Sequence, residues 1–286
     1  MRTKVLVTVM TYPSLSNKHY ETVCTAGFKE DGSWIRIFPV PYRLMIDQFD
    51  NQIYNKWQWI EVDLEQNLAH DDRPESYHIK NIDTLKTLNR IDVYGHPKWS
   101  LRKEWVFKNK DVFDNLDNLI TLTNKNELSL AVLKPTEIIS MTYTKEDPTK
   151  YKNKLKELKA RYEADKMQTQ LFESYDDINS KFEFAEKIPY KFKYKFKTTD
   201  GKIRNLMVED WEIGMLYRKV FYTSHDESKA CQDVINKYMG FAKNNDVYFF
   251  LGTSYEWQKK NADDPYMIIG VFYPPKPVPM PLFPNL

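Results

Sequence analysis

The segment Tyr190-Lys191-Phe192-Lys193-Tyr194-Lys195-Phe196-Lys197 alternates an aromatic with a lysine at every step. Successive side chains of a β-strand point to opposite faces. As a strand, the segment carries four aromatics on one face and four lysines on the other. Neighbouring lysines then stand roughly 6.6 Å apart, two strand steps. Thr198-Thr199-Asp200-Gly201-Lys202 reads as a hairpin turn, and Ile203 to Val208 as the returning strand. Lys202 and Arg204 thereby add positive charge to the same hairpin. One reading lays the lysines along a phosphate backbone, where counterion release makes binding salt-dependent. The aromatics offer a second, a stacking platform for unpaired bases. The structural alternative is an amphipathic edge strand, with aromatics in the core and lysines guarding against edge-to-edge pairing.

Composition bounds these readings. The chain has 286 residues, enough for one large domain or two ordinary ones, and its 42% hydrophobic and 29% charged content fits a globular protein. A formal net charge of +2, from 42 basic and 40 acidic residues, supplies no global attraction to nucleic acid, so such evidence must come from local patches. Two cysteines, Cys24 and Cys231, are too few for a disulfide framework or a structural zinc site, and point to a reducing cytoplasm. The N-terminal apolar run is too short for a signal-peptide core, and no segment approaches 18 apolar residues. These features predict a soluble cytoplasmic protein with no membrane partner.

The pattern along the chain predicts an α+β fold in three parts. Residues 1–145 read as a β-rich, barrel-like or bent-sheet domain with a helical insertion. Its strands fall at Lys4–Met10, Tyr20–Gly27, Trp34–Phe38 and Trp57–Glu65, with an Asp31-Gly32 hairpin turn and with Pro39 and Pro41 ending the pairing. A short strand is read at Tyr77–Ile79. The insertion is read as helix from residue 83 to about 125, on the spacing of Leu85, Leu88 and Ile91. Residues 146–185 form a charged helical connector with a narrow apolar stripe at Tyr151, Leu155, Leu158, Tyr162, Met167 and Leu171. Residues 186–286 form a mixed α/β domain: the alternating hairpin, a helix capped by Asp210, a second helix from Ser228, two strands, and a polyproline-like tail from Pro274.

Three further groups could carry chemistry. Alternation in Trp59–Glu65 places Glu61, Asp63 and Glu65 on one strand face, where carboxylates could hold Mg²⁺, or could simply be solvated. Glu209, Asp210 and Glu212 stand at a helix start, where acids complement the helix dipole and cap free N–H groups, or could serve a metal-dependent nuclease beside a hairpin lysine. Arg36 and Arg43, among aromatics, could bind phosphate or pair with an internal acid. The five histidines show no metal-ligand spacing, and there is no phosphate loop, dinucleotide fingerprint or nucleophile elbow.

Gly32–Arg43, Glu209–Gly214, Phe249–Gly252 and Gly270–Pro275 resemble pieces of a family of uncharacterised bacterial proteins. The resemblance spans most of the chain and implies a common architecture, without an activity. The leading expectation is therefore a nucleic-acid-binding protein, contacting DNA or RNA through Lys191, Lys193, Lys195, Lys197, Lys202 and Arg204, helped by Arg36 and Arg43, with no cofactor. One alternative is a nuclease using Mg²⁺ and the clustered carboxylates. Another is a non-catalytic subunit of an assembly, docking a protein partner through the proline tail and aromatic surface.

Overall fold

The computed structural model describes residues 1–42, 45, 52–66, 68–92, 97–170 and 184–276. Among these residues the chain forms thirteen strands and six helices in three sheets, an α+β architecture with a β-rich N-terminal part. The N-terminal part contains β1 (Arg2–Met10), β2 (Ser14–Ser16), β3 (Tyr20–Lys29), β4 (Trp34–Pro41), β5 (Gln58–Glu65) and β6 (Ser76–Arg90). β1 pairs with both β3 and β5, so five of these strands close into a ring ordered β1-β3-β4-β6-β5-β1. Only β4–β6 is parallel. This is the strand order of the OB barrel.

The apolar run of β1 explains the closure. Val5, Val7 and Met10 point into the barrel, while Leu6 and Val9 point outward into a second cluster. A register shift between Val7 and Val9 moves the alternation from one phase to the other. The strands approach closely at Gly27, where a Cβ would stand 1.9 Å from the Leu6 carbonyl oxygen. Gly32, at φ +88°, turns β3 into β4, and the Asp31 carboxylate accepts the Ser33 N–H at 2.9 Å.

Two expectations for this part are corrected. Residues 83–90 are strand, because they pair with β5 and close the ring. Several register shifts along that pairing erase the period-two signal. Of the residues taken as a helical stripe, Leu85 packs on the barrel core and Leu88 is exposed. Pro39 does not end β4 either. The ladder shifts register between Val23 and Thr25, Pro39 has no partner there, and Val40 and Pro41 resume pairing with Val23 and Thr22.

After α1 (Pro97–Phe107) come β7 (Val112–Phe113), α2 (Leu116–Asn124), β8 (Leu130–Leu133), β9 (Glu137–Lys145) and α3 (Pro148–Gln170). Beyond them lie β10 (Tyr190–Lys197), β11 (Ile203–Met207), α4 (Trp211–Ser224), α5 (Glu227–Asn244), β12 (Tyr248–Thr253), α6 (Tyr255–Lys259) and β13 (Tyr266–Phe272). The sheet β13-β12-β8-β7 is apolar on both faces. Leu130, Val132, Phe250 and Ile269 meet Leu6, Val9, Ala26 and Phe28 on the outside of the barrel. On its other face Ala131, Leu133, Phe249 and Leu251 share a core with Phe192, Tyr194 and Phe196 and with Ile213 and Val234 of α4 and α5. α3, mostly polar, buries Leu158 and lies along the barrel, its Lys154 Nζ donating to the Leu15 carbonyl at 3.0 Å. Residues 171–180, also expected in this helix, lie outside the described residues.

Candidate nucleic-acid interface

β10 is the central strand of the three-stranded sheet β11-β10-β9, not an edge. Its alternation is realised in full: Phe192, Tyr194 and Phe196 are buried, and the lysines stand on the opposite face. The aromatic side is therefore closed to bases. Cross-strand pairing defines the open side. Lys191, Lys193 and Lys195 lie opposite Thr144, Thr142 and Ser140 of β9, and Lys193 and Lys195 lie opposite Met207 and Asn205 of β11. The result is a row of ammonium groups flanked by hydroxyls on one side and by an amide on the other.

The four lysines differ in their partners. Lys191 Nζ reaches Glu146 at 2.7 Å, and Lys197 Nζ reaches Glu137 at 2.7 Å. Burial disfavours the Glu146 carboxylate, but bonds from Lys187 and Lys191 outweigh it and hold its pKa below the usual range. Lys193 and Lys195, in the middle, have no carboxylate partner among the described residues. The hydroxyl row and Glu146 were missed in the sequence. The alternation Ser140-Thr142-Thr144 was a legible signal for the first, but Glu146 follows β9 directly and reaches Lys191 only through the β9–β10 pairing.

The other expected cations stand elsewhere. Arg204 pairs across the strands with Phe196, so it belongs to the face opposite the lysines. Asp117, in the first turn of α2, takes both Arg204 and Lys202, and these two bonds hold its pKa low. Lys202 and Arg204 thus fasten the hairpin to α2 and do not extend the row. Arg36 is 2% exposed, and its guanidinium donates to Ser76 Oγ at 3.1 Å, Ser129 Oγ at 2.7 Å and the Ser129 carbonyl at 3.2 Å. Ser129 in turn donates through its N–H and its hydroxyl to Glu75. Arg36 is an internal link between barrel and sheet and is closed to a polyanion. Arg43 lies outside the described residues.

The acids do not converge. Glu61, Asp63 and Glu65 face outward from β5, and their neighbours are largely cations and polar groups: Arg2 bonds Glu61 at 2.8 Å, Arg2 also pairs across the strands with Asp63, and His78 and Lys80 reach Glu65 at 3.0 and 3.6 Å. Asp210 caps α4, its Oδ1 accepting the Glu212 N–H at 2.9 Å and the Lys56 ammonium at 2.6 Å. Burial pushes the Asp210 pKa up against the pull of Lys56. Lys56 chiefly holds Glu212 low, and the two acids keep Lys56 charged although burial opposes it. Glu209 points away to the Lys191 end of the lysine row. There burial raises it to about 7, with Lys191 and Lys187 opposing and Glu146 reinforcing. Among the described residues no group of three or more His, Cys, Asp or Glu is placed to hold a metal. The polyproline run named as a docking feature lies outside the described residues from position 277 onward.

A family described as Domain of unknown function (DUF8758) matches residues 1–108, which contain the barrel and α1. A second, described as Domain of unknown function (DUF8757), matches residues 109–285. The second match covers more than half of the chain, and the chain belongs to that family. No curated protein matches the chain. No helix among the described residues is long and apolar enough to cross a membrane.

Proposed function

We propose that the chain binds nucleic acid through the phosphate backbone, using the outer face of the β9-β10-β11 sheet with Lys193 and Lys195 at its centre. The observation that carries this reading is the pair of central ammoniums, which stand on an open face without a carboxylate partner among the described residues. Lys191 and Lys197 extend the row. Their pairs with the half-buried Glu146 and the exposed Glu137 are each worth about 1 kcal/mol or less, so a phosphate can compete for either lysine. Thr142, Thr144, Ser140 and Asn205 add neutral donors of the kind that contact phosphate oxygens. With the aromatics in the core, the face has no stacking platform, and binding is independent of base sequence. The barrel adds no support by its fold, because a shared architecture does not carry function. The β3–β4 face on which OB barrels take their ligands is packed here against the four-stranded sheet.

Fluorescence anisotropy with labelled single-stranded and duplex DNA and with RNA, at low salt, tests the proposal. Lys193→Glu with Lys195→Glu should weaken binding by at least about tenfold, with the thermal unfolding midpoint unchanged. Absence of wild-type binding at low salt, or equal binding by the double variant, sinks it.

A further inference from the structure

A cleft of about 340 Å³ opens between the barrel and helices α4 and α5. The volume lies within the range of small-molecule sites, about 300–1,000 Å³. Its charge is one-sided: Lys56, Arg90, Lys219 and Lys237 line it against a single lining carboxylate, Glu212. Lys56 is committed to Asp210 and Glu212, and Arg90 lies 3.6 Å from Asp92. Lys219 and Lys237 have no ion-pair partner among the described residues. Both stand exposed on successive helices and contribute to the same cleft.

The rest of the lining mixes aromatic and aliphatic side chains with Asn55 and Gln52. Tyr273 stacks on Phe241 with ring centroids 3.7 Å apart and 6° between planes, and both line the cleft with Trp211. Gln52 also lines it, and its Nε2 is buried with no acceptor among the described residues. A buried amide N–H₂ without an acceptor costs about 1–3 kcal/mol, which a ligand acceptor would recover. Two ammoniums, a stacked aromatic pair and an unused donor in the lining of one cleft define complementary chemistry.

We infer that this cleft binds a small molecule joining a phosphate-like dianion to a flat ring, of the class of a nucleoside monophosphate. Lys219 and Lys237 take the dianion, and the Phe241–Tyr273 wall and Trp211 flank the ring. The inference does not rest on the hairpin reading, because no β10 lysine lines the cleft.

Isothermal titration calorimetry of the full chain with adenosine monophosphate, adenosine and inorganic phosphate tests it. Adenosine monophosphate should bind saturably, and each part alone at least about tenfold more weakly. Lys219→Ala with Lys237→Ala should lose at least about tenfold in affinity while the unfolding midpoint holds, since both side chains are exposed. Lys193→Glu with Lys195→Glu should bind adenosine monophosphate as the wild type does. No binding heat, equal affinity for adenosine, or an unchanged affinity in the Lys219/Lys237 variant overturns the inference. Loss of binding in the hairpin variant overturns it too, since the anion would then sit on β10.

Discussion

Two sheet faces of this protein carry cations picked out by their sequence pattern, and they meet opposite fates. The outer face of β3 and β4 bears Arg36 and is sealed by Ser129 and the four-stranded sheet. The outer face of β9-β10-β11 bears Lys193 and Lys195, which have no ion-pair partner among the described residues. The difference lies in the side chains that share each face with the cation. The β3–β4 face carries Ala26 and Phe28 beside the arginine, and such a surface demands cover. The lysine face carries hydroxyls and an amide beside its ammoniums and is stable in water. A cation on a strand thus becomes an internal tie or an exposed contact according to the side chains around it, not its own charge.

The sealed face should show the larger effect. Arg36→Ala removes three hydrogen bonds and leaves the part-buried Ser129–Glu75 pair without its cation. Loss of one member of a buried charged network costs about 3–5 kcal/mol. Urea unfolding should place the variant about 3 kcal/mol below wild type, whereas Lys195→Ala should stay within about 0.5 kcal/mol. Equal costs for the two would erase the distinction between the faces.

On the open face, the salt dependence of binding counts the lysines engaged. Two phosphate contacts give a log–log slope near −1.8 and four a slope near −3.6 on duplex DNA. A fourfold rise in salt then weakens binding by about tenfold to about a hundredfold. Lys195→Ala should reduce the slope by about one. An unchanged slope would move the contact off β10.

How these faces read from the sequence follows the same physics. The β10 strand was legible because one face meets a core and the other meets solvent, so its alternation is complete. β6 was not, because register shifts against β5 break both periods. Arg36 was opaque, since the serine that covers it lies 93 residues along the chain. Arg204 was half legible. A turn spanning 198–202 pairs Lys197 with Ile203 and so assigns Arg204 to the aromatic face, but that parity requires knowing where the turn begins. The cleft beside α4 joins residues from the barrel end, α4, α5 and the segment after β13, and no local pattern announces such a gathering.

The smallest effect concerns Glu209, beside the Lys191 end of the open face. Burial raises its pKa to about 7 against the pull of Lys191 and Lys187, with Glu146 reinforcing the rise. For an acid raised in the folded state, the native protein keeps its proton while the unfolded chain loses it. Stability therefore falls as pH rises from about 4.5 to about 7 and is level above. Binding follows the same sign: above about 7 a carboxylate stands near Lys191 and repels a phosphate, and below it the group is neutral. Nucleic-acid affinity should decline about two- to threefold as pH rises through about 7, since one such charge near the face contributes about 0.5 kcal/mol. Glu209→Gln should remove that step, so that the ratio of affinities at the acid and alkaline ends differs between variant and wild type while their affinities agree at the acid end. Parallel pH profiles for the two proteins would mean that Glu209 does not sense the open face, and would detach the Lys191 end from the contact.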